Sequence, residues 1–157
     1  MIPTPTIKRI LVPHDFGETA EHALAYALAF AEKFGASIMV LHAYECPSFG
    51  FPDAMAGTYE FASVLERTGR TALDVIEAQV RRPDLEIQTM LRRGTPWVEI
   101  ASVAKDLQAD LIVMGTHGLR GLPRALLGSV AEKVVRTAPC PVLTVHLSAD
   151  EERSESL

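Results

Sequence analysis

The chain has 157 residues, the size of one domain, with 48% hydrophobic and 22% charged residues. That balance excludes a disordered chain, and the length allows a core that needs no disulfide or structural metal. Fifteen Lys and Arg against twenty Asp and Glu give a net charge of −5, without the basic stripe of a nucleic-acid binder. No run approaches the roughly eighteen apolar residues of a membrane helix, and the first residues lack the apolar core of a secretory signal. Cys46 and Cys140 lie too far apart in sequence for a redox or zinc pair. These features predict a cytoplasmic protein with no nucleic-acid or membrane partner. The last nine residues hold four acids and one Arg, so 1–147 is expected to form the domain and 148–157 a solvated acidic tail.

In chain order, Ile7 to Val12 is a short apolar run closed by Pro13, a buried strand. Glu18 to Phe34 places Ala20, Leu24, Ala27, Leu28, Ala31 and Phe34 at helical spacing, and Gly35 ends it. Ser37 to Tyr44 shows little alternation, as in a strand covered on both faces. Residues 45–57, with two prolines and two glycines, read as a loop carrying Phe49, Phe51 and Met55. A helix follows from about Thr58 to Val80, with Phe61, Val64, Leu65, Leu73 and Ile76 as its inner stripe. Glu86 to Leu91 alternates like an edge strand.

Thr95 and Pro96 then sit at the N-cap and first position of a helix whose inner face is Val98, Ile100, Ala101, Ala104 and Leu107. Asp110 to Gly115, Ser129 to Thr137 and Pro141 to His146 complete a strand, a helix and a last strand. Strands separated by helices imply an α/β three-layer sandwich around a five-stranded parallel sheet. With strand order 3-2-1-4-5, a ligand would sit beyond the carboxyl ends of the first and fourth strands.

The strongest local signal is GTHGLRGLPRALLGS, from Gly115 to Ser129. Gly115 and Gly118 end an apolar strand, where absent side chains let backbone N–H groups approach a phosphate. Gly128 and Ser129 open a helix whose free N–H groups and positive dipole end face the same spot. The alternative is loop glycines with Ser129 as a plain N-cap. Arg120 and Arg124 lie within the segment, as phosphate partners or as solvated surface residues.

This segment resembles the universal stress proteins, and the likeness runs from Ile7 to Val145. It includes RILVPHDFGETAEHAL, MVLHA, DLIVMGTHG and LLGSVAEKVVRTAPCPVLTV. Gly115, Gly118, Gly128 and Ser129 satisfy the G-x2-G-x9-G-[ST] spacing of that family's ATP-binding branch. The resemblance implies an adenine nucleotide alpha hydrolase-like fold, bound ATP with Mg²⁺, a regulatory role in stress response, and a homodimer through the last strand. It places Pro13 and Asp15 at the adenosine end, the Ala43 backbone at the adenine edge, and Met114 as an apolar wall. Val130 and Ala131 continue the helix start at the phosphates. His14 stands where many nucleotide-binding members carry a small residue; turned inward, it would narrow the site or touch the ligand.

Asp15 also suits its position chemically, as an acceptor for ribose hydroxyls or a ligand of phosphate-bound Mg²⁺, with capping of the next helix as the plain alternative. His14, His42 and His117 near the strand ends raise a zinc site completed by Asp15 or Cys46, without supporting spacing. Ser129, His117 and Asp15 can be drawn as a hydrolase set, but no GxSxG elbow or GxxxxGK[ST] loop is present. Two other classes stay open: a slow ATPase or phosphotransferase, with His117 as the base, and a nucleotide-independent dimeric interaction module. Cys140 and Trp97 read as packing residues.

Overall fold

The structure, a computed structural model, describes residues 1–47, 55–117 and 127–147, with the backbone alone for Met55 and Ala56. The tail at 148–157, Phe49, Phe51, Gly118, Arg120 and Arg124 therefore lie outside the described residues. Among the described residues nine elements alternate: β1 (Arg9–Pro13), α1 (Glu18–Phe34), β2 (Ser37–Tyr44), α2 (Met55–Val80), β3 (Ile87–Arg93), α3 (Pro96–Asp106), β4 (Leu111–Gly115), α4 (Ser129–Thr137) and β5 (Val142–Val145). All pairings are parallel and the sheet order is β3-β2-β1-β4-β5, as expected.

Side-chain alternation along the strands divides the core. Ile10, Val12, Ile38, Val40 and Val113 point to one face, packing on Ala23, Leu24 and Ala27 of α1 and on Leu73 and Ile76 of α2. Leu11, Leu41, Ile112 and Met114 point to the other, against Ile100 and Val103 of α3 and Ala131 and Val134 of α4. Among the described residues, no helix is long and apolar enough to cross a membrane.

Several boundaries and faces differ from expectation. Pro13 belongs to β1 rather than closing it; its missing N–H costs nothing at the strand's end. Residues 55–57, expected in the loop, already belong to α2. Phe61 and Val64 are exposed, because the sheet is reached only by the later turns of this 26-residue helix, at Leu73 and Ile76. Phe34 and Val98 are likewise exposed, each near a helix end. Thr95 holds the N-cap of α3 as expected, but makes no capping bond. Its hydroxyl donates instead to Glu45 Oε1 at 2.9 Å.

Candidate functional site

A cavity of about 460 Å³ opens where the carboxyl ends of β1 and β4 meet, on the α3/α4 face of the sheet. Its floor is apolar, formed by Leu41 and Met114 from the sheet and Ile100 from α3. Eleven of the sequence-expected site residues line it: Pro13, His14 and Asp15 after β1, Ala43 on β2, Met114, Gly115 and His117 around β4, and Gly128, Ser129, Val130 and Ala131 at α4. Gly118 and Arg120 are outside the described residues. Ala20, Leu41, Pro96, Ile100 and Thr116 also line the cavity. Sequence reading missed the four apolar ones because an apolar lining residue carries the same pattern as a core residue; only strand parity and helix approach tell them apart.

The α4 end is built by backbone contact. Gly128 N donates to Thr116 O at 2.7 Å, joining the helix start to the end of β4. A Cβ at Gly128 would lie 2.6 Å from that oxygen, closer than side chains pack. Gly128 is the N-cap and Ser129 the first helical residue, with no side-chain capping bond, so Ser129 is not the plain N-cap. The N–H groups of the first helical turn have no acceptor within the helix, and the residues carrying them line the cavity.

Gly115 has a second reason to be small besides the one its motif suggests. A Cβ there would meet Thr19 Oγ1 at 2.7 Å and the Thr19 backbone carbon at 3.0 Å. Because α1 crosses β4 this closely, no side chain fits at position 115. Thr19 Oγ1 in turn donates to His117 O at 2.5 Å, tying the start of the 115–129 segment to α1. His117 Nδ1 lies 2.9 Å from Thr116 Oγ1. Its Nε2 is buried with no hydrogen-bond partner among the described residues, and the residue lines the cavity.

Asp15 is the only carboxylate among the described lining residues, and no Lys or Arg is among them. Its Oδ1 accepts from Gly17 N at 2.9 Å, a turn just ahead of α1. Gly17, not Asp15, is the N-cap of that helix. Among the described residues, no three His, Cys, Asp or Glu side chains converge on a possible metal position.

His14 does not turn its ring into the cavity. Strand parity sends it to the α1/α2 face, where it is 3% exposed. Its Nδ1 accepts from Phe16 N at 3.1 Å, and its Nε2 faces Glu21 Oε1 of α1 at 3.6 Å. Burial lowers its pKa, against the opposing pull of Glu21 and Asp15. His42 is a hydrogen-bonded histidine, its Nδ1 2.8 Å from His14 O. Between the two rings lies Phe16, with its centroid 4.3 Å from that of His42. Phe16 has φ of 65°, a left-handed conformation that costs a non-glycine residue about 1–2 kcal/mol.

Residues 6–146 match the universal stress protein family. The chain belongs to that family. It is 37% identical over 140 residues to universal stress protein MJ0531 of Methanocaldococcus jannaschii, covering 88% of this chain and 81% of the relative. The solved structure of MJ0577, from the same organism, superposes with a TM-score of 0.81 at 29% identity, over 92% of this chain and 99% of that one. A universal stress protein crystallised in complex with cAMP gives a TM-score of 0.58 at 26% identity, over 91% and 99% of the two chains.

Proposed function

We propose that the chain is an ATP-binding stress-response regulator of the cytoplasm, holding the nucleotide in the cavity between β1 and β4. One observation carries the reading: the first turn of α4, whose N–H groups have no acceptor within the helix, opens into an apolar-floored cavity that also holds the carboxylate of Asp15. The helix end suits phosphates, since N–H groups and the positive dipole end both favour an anion there. His117 Nε2, buried and unpartnered among the described residues, supplies one more polar atom for a ligand. Met114 and the Ala43 backbone suit a flat base. Asp15, with one oxygen engaged by Gly17, keeps the other for a ribose hydroxyl or a phosphate-bound cation. The cAMP complex of a relative supports an adenine nucleotide.

Mg²⁺ fits as a companion of the triphosphate rather than as a resident metal, because it is commonly held by one carboxylate together with phosphate oxygens. When bound, it would neutralise phosphate charge, and Asp15 is the residue that would hold it. Gly118 is assigned to the phosphates on the family spacing alone, and Arg120 on its charge and its place within the 115–129 segment.

Assembly as a homodimer belongs to the same reading. Among the described residues β5 is a terminal strand of the sheet, paired with β4 alone, and an apolar sheet edge favours pairing with a second copy. Mass spectrometry of small molecules released from freshly purified protein tests the ligand; an adenine nucleotide is expected, and calorimetric titration showing no ATP binding would refute it. Sedimentation tests the dimer, with Leu143→Lys expected to give monomers.

A further inference from the structure

The turn between β1 and α1 presents Asp15 to the cavity while burying His14 and half-burying Phe16 on the opposite face of the sheet. Two side-chain acceptors hold it. Asp15 Oδ1 takes the N–H of Gly17 at 2.9 Å, and His14 Nδ1 takes the N–H of Phe16 at 3.1 Å. Each reaches two residues along the chain, so the two bonds interlock. Between them sits Phe16 at φ 65°, a conformation that a phenylalanine keeps only where its surroundings impose it.

The acceptor role assigns the tautomers. Nδ1 of His14 can accept from an N–H only if it carries no proton, which leaves its proton on Nε2. His42 is the reverse: its Nδ1 meets the carbonyl of His14 at 2.8 Å, and a carbonyl only accepts, so that Nδ1 is protonated. The His14 side chain is fully buried, and its backbone N donates to Leu41 O at 2.8 Å. The ring therefore has little freedom to leave. Phe16, clamped between His14 and His42, cannot flip to an ordinary conformation without losing the His14 bond and its ring packing.

We propose that His14 is a positioning residue of the nucleotide site: its Nδ1 holds Phe16 in the left-handed conformation, and so aims Asp15 into the cavity while its own ring faces away from the ligand. The proposal rests on the nucleotide reading above and concerns how that site is kept in shape. A small side chain at position 14 would bring no ring acceptor to this point, so the histidine adds a brace rather than an obstruction.

Two variants and a cycle test it. His14→Phe keeps a ring but removes the acceptor, and ATP affinity is expected to fall about tenfold, the effect of losing one buried hydrogen bond. His14→Asn retains an acceptor that can reach the N–H two residues on, and is expected to stay within about threefold of the native protein. Because His14 acts through Asp15, His14→Phe should cost almost nothing further in an Asp15→Ala background. In the nucleotide-free protein, NMR should show a through-bond coupling between the Phe16 amide nitrogen and His14 Nδ1. Native affinity in His14→Phe, an Asn variant no better than Phe, additive losses in the cycle, or a protonated Nδ1 would each overturn the positioning role. Failure of the native protein to bind any adenine nucleotide would instead remove the nucleotide reading, and this proposal with it.

Discussion

The two faces of the sheet meet its carboxyl edge in opposite ways. On the α1/α2 face the edge is closed: Phe16, His14 and His42 fill it, and α1 comes so near β4 that Gly115 has no space for a Cβ. On the α3/α4 face it is open, and the same strands leave a cavity floored by Leu41, Met114 and Ile100. One backbone thus carries a packed surface and a cavity wall a single residue apart, since neighbours along a strand face opposite ways. His14 and Asp15 show this most sharply. Rigidity on the closed side positions groups on the open side.

The largest expected effect comes from enlarging alanines on each side. Ala23 on α1 is 0% exposed, so Ala23→Leu should destabilise the fold by about 3 kcal/mol through overpacking. Thermal melting should then fall by roughly 6–10 °C. Ala43→Leu, which extends into the cavity, should cost under about 1 kcal/mol and abolish ATP binding. Equal melting of the two variants would erase the distinction between closed and open faces.

Next is Gly128→Ala. Its Cβ would press on a backbone oxygen that cannot rotate away, displacing the start of α4. ATP affinity should drop about tenfold or more while circular dichroism stays native; undiminished binding would show that the first turn of α4 plays no part.

Turnover is expected to be smaller still. Uniform binding of a ground-state triphosphate does not lower its hydrolysis barrier, so single-turnover hydrolysis with Mg²⁺ should run orders of magnitude below about ten per second. His117→Ala should leave that slow rate almost unchanged. Rapid hydrolysis that collapses in the variant would make His117 a base and the open face an active site.

The smallest effect concerns Cys140, at the margin of the α3/α4 core. Burial, and then the Asp110 carboxylate, raise its thiol pKa above the ordinary value. The unfolded chain therefore loses this proton at lower pH than the folded one, so this thiol costs folded stability as pH climbs past the unfolded value. Alkylation at mildly basic pH should be slower in native than in unfolded protein. Equal rates would contradict the shift.

Much of this was legible in the residues. The continuous apolar runs at Ser37–Tyr44 and Asp110–Gly115, the alternation near Glu86 and the cap at Gly35 suffice for a parallel α/β sandwich, because burial on one or both sheet faces writes its period directly into sequence. The glycine and serine spacing from 115 to 129 likewise located the cavity's α4 wall. Phe61, Val64 and Val98 misled because helical periodicity says which face is apolar, not whether another element reaches that turn. Tertiary structure alone decided which way His14 points, why Gly115 must be small, that Pro96 and Thr116 border a cavity, and that Leu41 and Ile100 belong to the core and floor the cavity as well. Those facts depend on distances between separate elements, such as α1 to the end of β4 through Thr19 and His117, and the end of β4 to α4 through Thr116 and Gly128, and local pattern carries no measure of such distances.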